Sequence, residues 1–423
     1  MNYRLSRLKN GVRVLTVTLP KMESATLTVW LGVGSRYEAP RISGISHFLE
    51  HMVFKGSKKR PSAKLIAEAI DSIGAEFNAS TSKEWTDFYI KARAGVIETA
   101  FDVLSDMVLN PLLVKEEIER EKGVIVEEIG MYEDTPVARI GDVFEQLIFL
   151  GSSLGRDIIG TAKTVKGITR DDFEAYRKKY YFSRNILITA SGGIEHNQIV
   201  SLSEKYFGKV KKGSAKSYKK FERKQKGPQI LLHPKKKEQA HFILGFLGNP
   251  KGQKDRFDES IVAAIMGGGM SSRLFSEVRE RRGLAYAVRA NVDHYQDTGY
   301  FAAYVGVDVK RVDEAIKVVI DQCLGLADEK FPLRAEEIRK AKEYIKGHLA
   351  LSLEDTKAVN HFFGEEELLL GKVRTPEDVY KRIDAVGKDD ILRVAKKLFV
   401  PKNLNLAIIG PYKSQARFEK LLV

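Results

Sequence analysis

The first residues, MNYRLSRLKNGVRVLTVTL, mix apolar and polar positions at short range around Asn10-Gly11, which predicts a strand, a turn and a second strand. Further along, ISHFLEHMV carries Ile45, Phe48, Leu49 and Met52 as an apolar stripe at helical spacing. Ser43 is its expected N-cap and Gly56 its expected stop. A longer helix is predicted for KEEIEREKGVIVEEIGMYED from Lys115, with Ile118, Ile125, Ile129 and Tyr132 as its core face.

These patterns recur. DDFEAYRKKYYFSRNILITASG (Asp171 to Gly192) aligns without gaps on DDILRVAKKLFVPKNLNLAIIG (Asp389 to Gly410), and the six identities in 22 positions fall at matching helix and strand places. The helix from Lys115 likewise matches AEEIRKAKEYIKGHLALSLEDT from Ala335. Each half therefore reads as strands, a helix, a hairpin, several helices and a closing strand, an α+β domain built twice. The expected division is a first domain over 1–212, a basic linker over 213–227 and a second domain over 228–423. The halves differ chemically: the second is expected to hold no counterpart of the two-histidine helix, and His348 falls where the first has Glu128.

Composition narrows the class. Hydrophobic content of 43% with 30% charged residues describes a globular chain, and no window approaches the roughly 20 continuous apolar residues of a membrane helix. No leader-like apolar core opens the chain, so cytoplasmic residence is the expectation. Cys323 is the single cysteine, which excludes an internal disulfide and a cysteine-rich zinc module. Much of the net charge of +14 lies in residues 209 to 237, a solvated basic linker without the fold motif or interleaved aromatics of a nucleic-acid binder. Richness in Lys, Arg and Glu also suits a heat-stable protein.

The chemistry gathers in HFLEHMVFKG. His47 and His51 project from one helix face a turn apart, the spacing two imidazoles need to reach one ion, with Glu50 beside them. A hydrolytic zinc site keeps one position open and takes three protein ligands, so a third His or carboxylate is required. On the long helix Glu121 and Glu128 lie within about 20° of each other, while Glu127 points roughly opposite, to solvent. Glu128 is accordingly the expected third ligand, and Glu121 the carboxylate that orients a ligating imidazole. Glu50, adjacent to the metal but not consumed by it, is placed to take the proton of the attacking water and pass it to the leaving amine. The order His-x-x-Glu-His is a known zinc-peptidase signature.

With these residues in view, nearly the whole chain resembles the pitrilysin, insulinase and mitochondrial processing peptidase family of zinc metallopeptidases. The resemblance implies two homologous α/β-roll domains of mostly antiparallel sheet packed by helices, and one Zn2+ per chain on His47, His51 and Glu128. Within GAEFNASTSKEWTDFYIKA it implies an edge strand on which Asn78 and Ala79 hold a substrate backbone, although a plain hairpin strand has the same pattern. Within GGGMSSRLFSEVRERRGLAYAV it implies that Arg279 and Tyr286 contact the substrate carbonyl next to the scissile bond. The triple glycine, Gly267 to Gly269, fits a flexible rim or a tight helix-entry turn equally.

A chain of this length resembles the shorter processing-peptidase type. A homodimer is expected, in which each zinc site meets the partner's Arg279 and the partner's Tyr286 inside a chamber for peptides or unfolded polypeptides. The rival expectation is a catalytically silent structural or partner subunit of the same family. Loss of His47, Glu50, His51 or Glu128 would point there, and all four are present.

Overall fold

The structure is a computed structural model that describes residues 1–214 and 217–422; residues 215 and 216 of the expected linker, and 423, lie outside the described residues. The chain forms two compact units, one of Met1–Gly130, Arg156–Lys219 and Leu351–Pro376, the other of Met131–Gly155, Lys220–Ala350 and Glu377–Val423. The expected α+β class with mostly antiparallel sheets is what the structure shows.

In the first unit, β1 (Arg4–Arg7), β2 (Arg13–Thr18), β3 (Ser24–Leu31), β4 (Glu76–Thr81), β5 (Thr86–Arg93) and β6 (Ile186–Gly192) form one sheet in the order β1-β2-β6-β3-β5-β4. The predicted opening hairpin is present, with Arg7 facing Arg13 across the turn. Only β2 and β6 run parallel. One face of the sheet packs on helices through Leu27, Val29, Phe88 and Ile188, joined by Phe48, Leu49, Met52, Phe101 and Phe173. Side chains alternate along a strand, so Thr26, Thr28 and Trp30 of β3 point to the other face.

That other face is covered by the helix Thr356–Leu370, which comes from the far end of the chain. A buried polar seam fixes its register. Thr26 Oγ1 and Thr356 Oγ1 lie 2.9 Å apart, Asn360 Nδ2 donates to Thr26 O at 2.8 Å, and Ser191 Oγ donates to Thr356 O at 2.6 Å. Gly364 lies against the Trp30 indole, where a Cβ would come within 2.8 Å of the ring, while Trp30 Nε1 donates to Thr189 Oγ1 at 2.8 Å.

The second unit repeats the plan. Strands β7 (Gln229–Pro234), β8 (Gln239–Gly248), β9 (Ala285–His294), β10 (Gly299–Asp308) and β11 (Asn405–Gly410) take the order β7-β11-β8-β10-β9, again with one parallel pair, β7 with β11. Its outer face is covered by the helix Pro136–Ile148, whose Ile140, Val143 and Phe144 pack on Ile243, Tyr300 and Tyr304. The two sheets fall on either side of residues 213–227, yet each unit takes one helix from the opposite half of the chain. The compact units therefore differ from a division at 212 and 228, because each of these two helices is buried on the other half's sheet.

The repeated segments adopt matching elements. Helix Arg170–Tyr180 and β6 correspond to helix Lys388–Leu398 and β11, and helix Lys115–Asp134 corresponds to Ala335–Ser352. The two-histidine helix does have a topological counterpart, Arg256–Gly267, in the same place between β8 and β9 but without histidine. The triple glycine ends that helix in close packing. A Cβ on Gly267 would meet Ala290 N at 2.2 Å, and one on Gly268 would meet Ala264 Cα at 2.8 Å, so close packing is what these glycines allow, at a helix exit and not at the expected helix entry.

Candidate metal centre

The helix Ile45–Val53 buries Ile45, Phe48, Leu49 and Met52 in the first core and so turns His47, Glu50 and His51 the other way. Its N-cap is Gly44 and not the expected Ser43. The chain enters the helix through a left-handed turn, φ 98°, and a Cβ there would lie 2.6 Å from Ile159 O. The helix closes at Phe54, two residues before the expected Gly56.

On the helix Lys115–Asp134, Ile118 and Ile125 are buried and Ile129 packs beside them, but Tyr132 is 44% exposed, so the core face ends a turn earlier than its pattern suggests. Helical phase separates the glutamates: Glu127 is exposed, Glu128 half-buried and Glu121 buried. Ligand atoms of His47, His51 and Glu128 all lie within 4.8 Å of one another. Glu128 Oε2 is 3.8 Å from His47 Nε2 and 3.6 Å from His51 Nε2. Donors held about 2.0–2.2 Å from one tetrahedral ion sit roughly 3.3–3.6 Å apart, so a small inward movement would seat zinc here.

The donor chemistry fits that ion. Glu128 Oε2 is buried and has no hydrogen-bond partner among the described residues, an arrangement that an unpaired carboxylate oxygen tolerates badly unless a cation joins it. Burial, with Glu121 nearby, lifts the Glu128 carboxyl above its ordinary range although His51 opposes this. Burial and the neighbouring His51 push His47 down to about 3, so its imidazole is neutral and able to ligate at neutral pH.

Glu121 Oε1 lies 2.9 Å from His51 Nδ1, leaving Nε2 for the shared centre. Its other oxygen meets Lys55 Nζ at 2.6 Å. Burial opposes ionisation of Glu121, but the hydrogen bonds from His51 and Lys55 outweigh it and hold the carboxyl below its usual range. Lys55 lies just past the end of this helix, in the turn after Phe54.

Glu50 stands outside the three-donor group. Thr81 Oγ1, at the end of β4, donates to Glu50 Oε2 at 2.5 Å. Burial raises the Glu50 carboxyl above the ordinary range, with Thr81 and His51 pulling the other way. Nothing in the sequence pointed to Thr81, because the contact joins a strand end to a helix. Asn78 and Ala79 lie on the same strand, opposite Tyr89 and Phe88. Among the described residues β4 has β5 as its one strand neighbour, so its outer edge is unpaired; Asn78 is exposed and Ala79 is 8% exposed.

Arg279 and Tyr286 belong to the second unit, where they come together. The Arg279 guanidinium lies over the Tyr286 ring at 4.6 Å and over Phe275 at 4.8 Å. Arg279 is in a π-helical stretch, Phe275–Glu280, and Tyr286 is the second residue of the edge strand β9, with 80% of its surface exposed.

Known proteins are similar to this chain along both of its halves. Residues 13–162 match the family model described as Insulinase (Peptidase family M16), and residues 167–345 match the one described as Peptidase M16 inactive domain. A protein of Streptomyces coelicolor named an uncharacterized zinc protease is 36% identical over 418 residues, 97% of this chain and 90% of that protein. A Bacillus subtilis protein, also named an uncharacterized zinc protease, is 37% identical over 404 residues, covering 95% of this chain and 97% of its own. Among solved structures, a protease from Helicobacter pylori superposes with a TM-score of 0.89 at 22% identity over 97% of this chain and 99% of that one. A chain of Complex III2 from Candida albicans shares the fold at a TM-score of 0.85 and 20% identity, over 99% of each chain. Matched along both halves, and with His47, His51 and Glu128 of the first half as the one metal-competent group among the described residues, this chain belongs to peptidase family M16, in the short two-domain, processing-peptidase-like type.

Proposed function

We propose that this protein is a zinc-dependent endopeptidase that hydrolyses peptides or unfolded polypeptides. The observation that carries the reading is the convergence of His47, His51 and Glu128 on one point, with Glu50 beside them and outside the donor set. Zinc held by those three side chains would supply the Lewis acidity that activates water and polarises the scissile carbonyl. Glu50, held by Thr81, takes the proton from the attacking water at a carboxylate oxygen and delivers it to the departing amine. The free edge of β4 would accept the substrate as an added strand, with Asn78 and Ala79 along it. Arg279 and Tyr286, already paired and presented to solvent, would donate hydrogen bonds to the carbonyl oxygen as charge develops on it. Their source is a second copy of the chain, giving a homodimer with the chemistry inside its chamber.

The test is metal analysis together with cleavage of a mixed peptide library by wild type and Glu50→Gln. Retained zinc with cleavage reduced at least ~100-fold is expected, since positioned acid–base groups contribute about 10²–10⁴-fold. Undiminished cleavage by the variant would defeat the mechanism. Zinc binding without any cleavage by wild type would favour a silent partner subunit.

A further inference from the structure

We infer that Glu38 is a positioning residue for the helix Ile45–Val53: its carboxylate caps the helix start and thereby fixes where His47, Glu50 and His51 point. The inference rests on the zinc reading proposed above.

The first amides of a helix lack partners within it, and Gly44 at the N-cap offers no side chain to supply one. Glu38, six residues earlier, fills that role with both oxygens: Oε2 accepts from Gly44 N–H at 2.8 Å and Oε1 from Ser46 N–H at 2.8 Å. Burial pushes the Glu38 carboxyl up to about 7, against the pull of the Ser46 and Gly44 hydrogen bonds and of Arg156, so the cap stands on its two hydrogen bonds and not on a full negative charge. Glu38 is 5% exposed, so it is a built part of the interior.

The cap is itself held from two sides. Arg156 Nη2 donates to Glu38 O at 2.8 Å, and Lys83 Nζ donates to Arg156 O at 2.7 Å. Ser46 Oγ lies 2.7 Å from the hydroxyl of Tyr176, which is 3% exposed. His47 follows Ser46 directly, so any drift of the first turn moves its imidazole. Nine residues are too few for a helix to keep its place unaided, and a zinc site tolerates ligand displacements of only about 0.2 Å. At the other end Glu121 orients His51. The constellation is thus pinned once at each end, by carboxylates from outside the helix.

Three readouts test this. Hydrogen–deuterium exchange over residues 44–53 in zinc-free Glu38→Ala should rise relative to wild type. Zinc affinity, measured by chelator competition, should weaken ~10–100-fold, as when partners of metal ligands are removed. On peptide substrate kcat should fall with KM unchanged, and Glu38→Gln, which keeps one acceptor, should recover part of each loss. Should Glu38→Ala not fold, Glu38→Gln and Ser46→Ala are read for smaller changes in the same direction. Wild-type exchange over 44–53, or wild-type zinc affinity and kcat with only a lowered melting temperature, would overturn the inference. A wild type that binds no zinc would instead overturn the zinc reading and leave the exchange result standing.

Discussion

Glu127 and Glu128 differ by one position and about 100° of helical phase, and that angle separates a solvated side chain from a metal-competent one. Glu128→Gln should lower zinc affinity at least ~10-fold while Glu127→Gln leaves it unchanged, read by chelator competition. Equal effects would show that phase is not what selects the ligand. This much was legible because spacing on two regular helices carries the information. Thr81 and Glu38 were not, since each reaches the site from a loop or strand end whose position depends on the finished fold. His196 supplies a separate residue-scale expectation. Its ring is 4% exposed and bonded by Thr16 Oγ1 at 2.7 Å and Ser6 Oγ at 2.8 Å. Burial, with Arg4 nearby, lowers its pKa below the ordinary value of 6.5. The unfolded chain then binds this proton more readily. The contribution is fully present above about pH 6.5 and is lost as pH falls toward the folded value, by at most about 1.4 kcal/mol per unit. Denaturant midpoints of wild type should fall more steeply than those of His196→Gln between pH 7.5 and 5.

At the level of elements, the opening hairpin, the long glutamate helix and the repeated helix–strand pairs follow from local pattern and turn chemistry. The exchange of covering helices did not. An amphipathic pattern says that Thr356–Leu370 has a face to bury but not which sheet will bury it. The match of shapes at Trp30 and Gly364 settles that question in space. Gly364→Val should therefore destabilise the protein by about 1–3 kcal/mol, as overpacked cores do. An unchanged urea midpoint would mean that the Trp30 ring can move aside. The N-cap error has a similar origin: Ser43 has the right chemistry, but only Gly44 takes the left-handed turn beneath Ile159.

For the whole molecule, the proposed dimer makes a claim about shared sites. Glu50→Gln chains and Arg279→Ala chains, each inactive alone, should regain part of the wild-type activity when mixed, up to about a quarter if copies pair at random and one intact site of each mixed dimer works. No recovery would favour a site complete within one chain or an unidentified partner. The helix exchange bears on how the protein comes into being. The outer face of the first sheet stays bare until residue 370 has been made, so the first half cannot finish folding while its own segment is the only one outside the ribosome. A gene fragment ending near residue 227 would yield an exposed Trp30 face and aggregated protein, and co-expressing the remainder would be needed to rescue it.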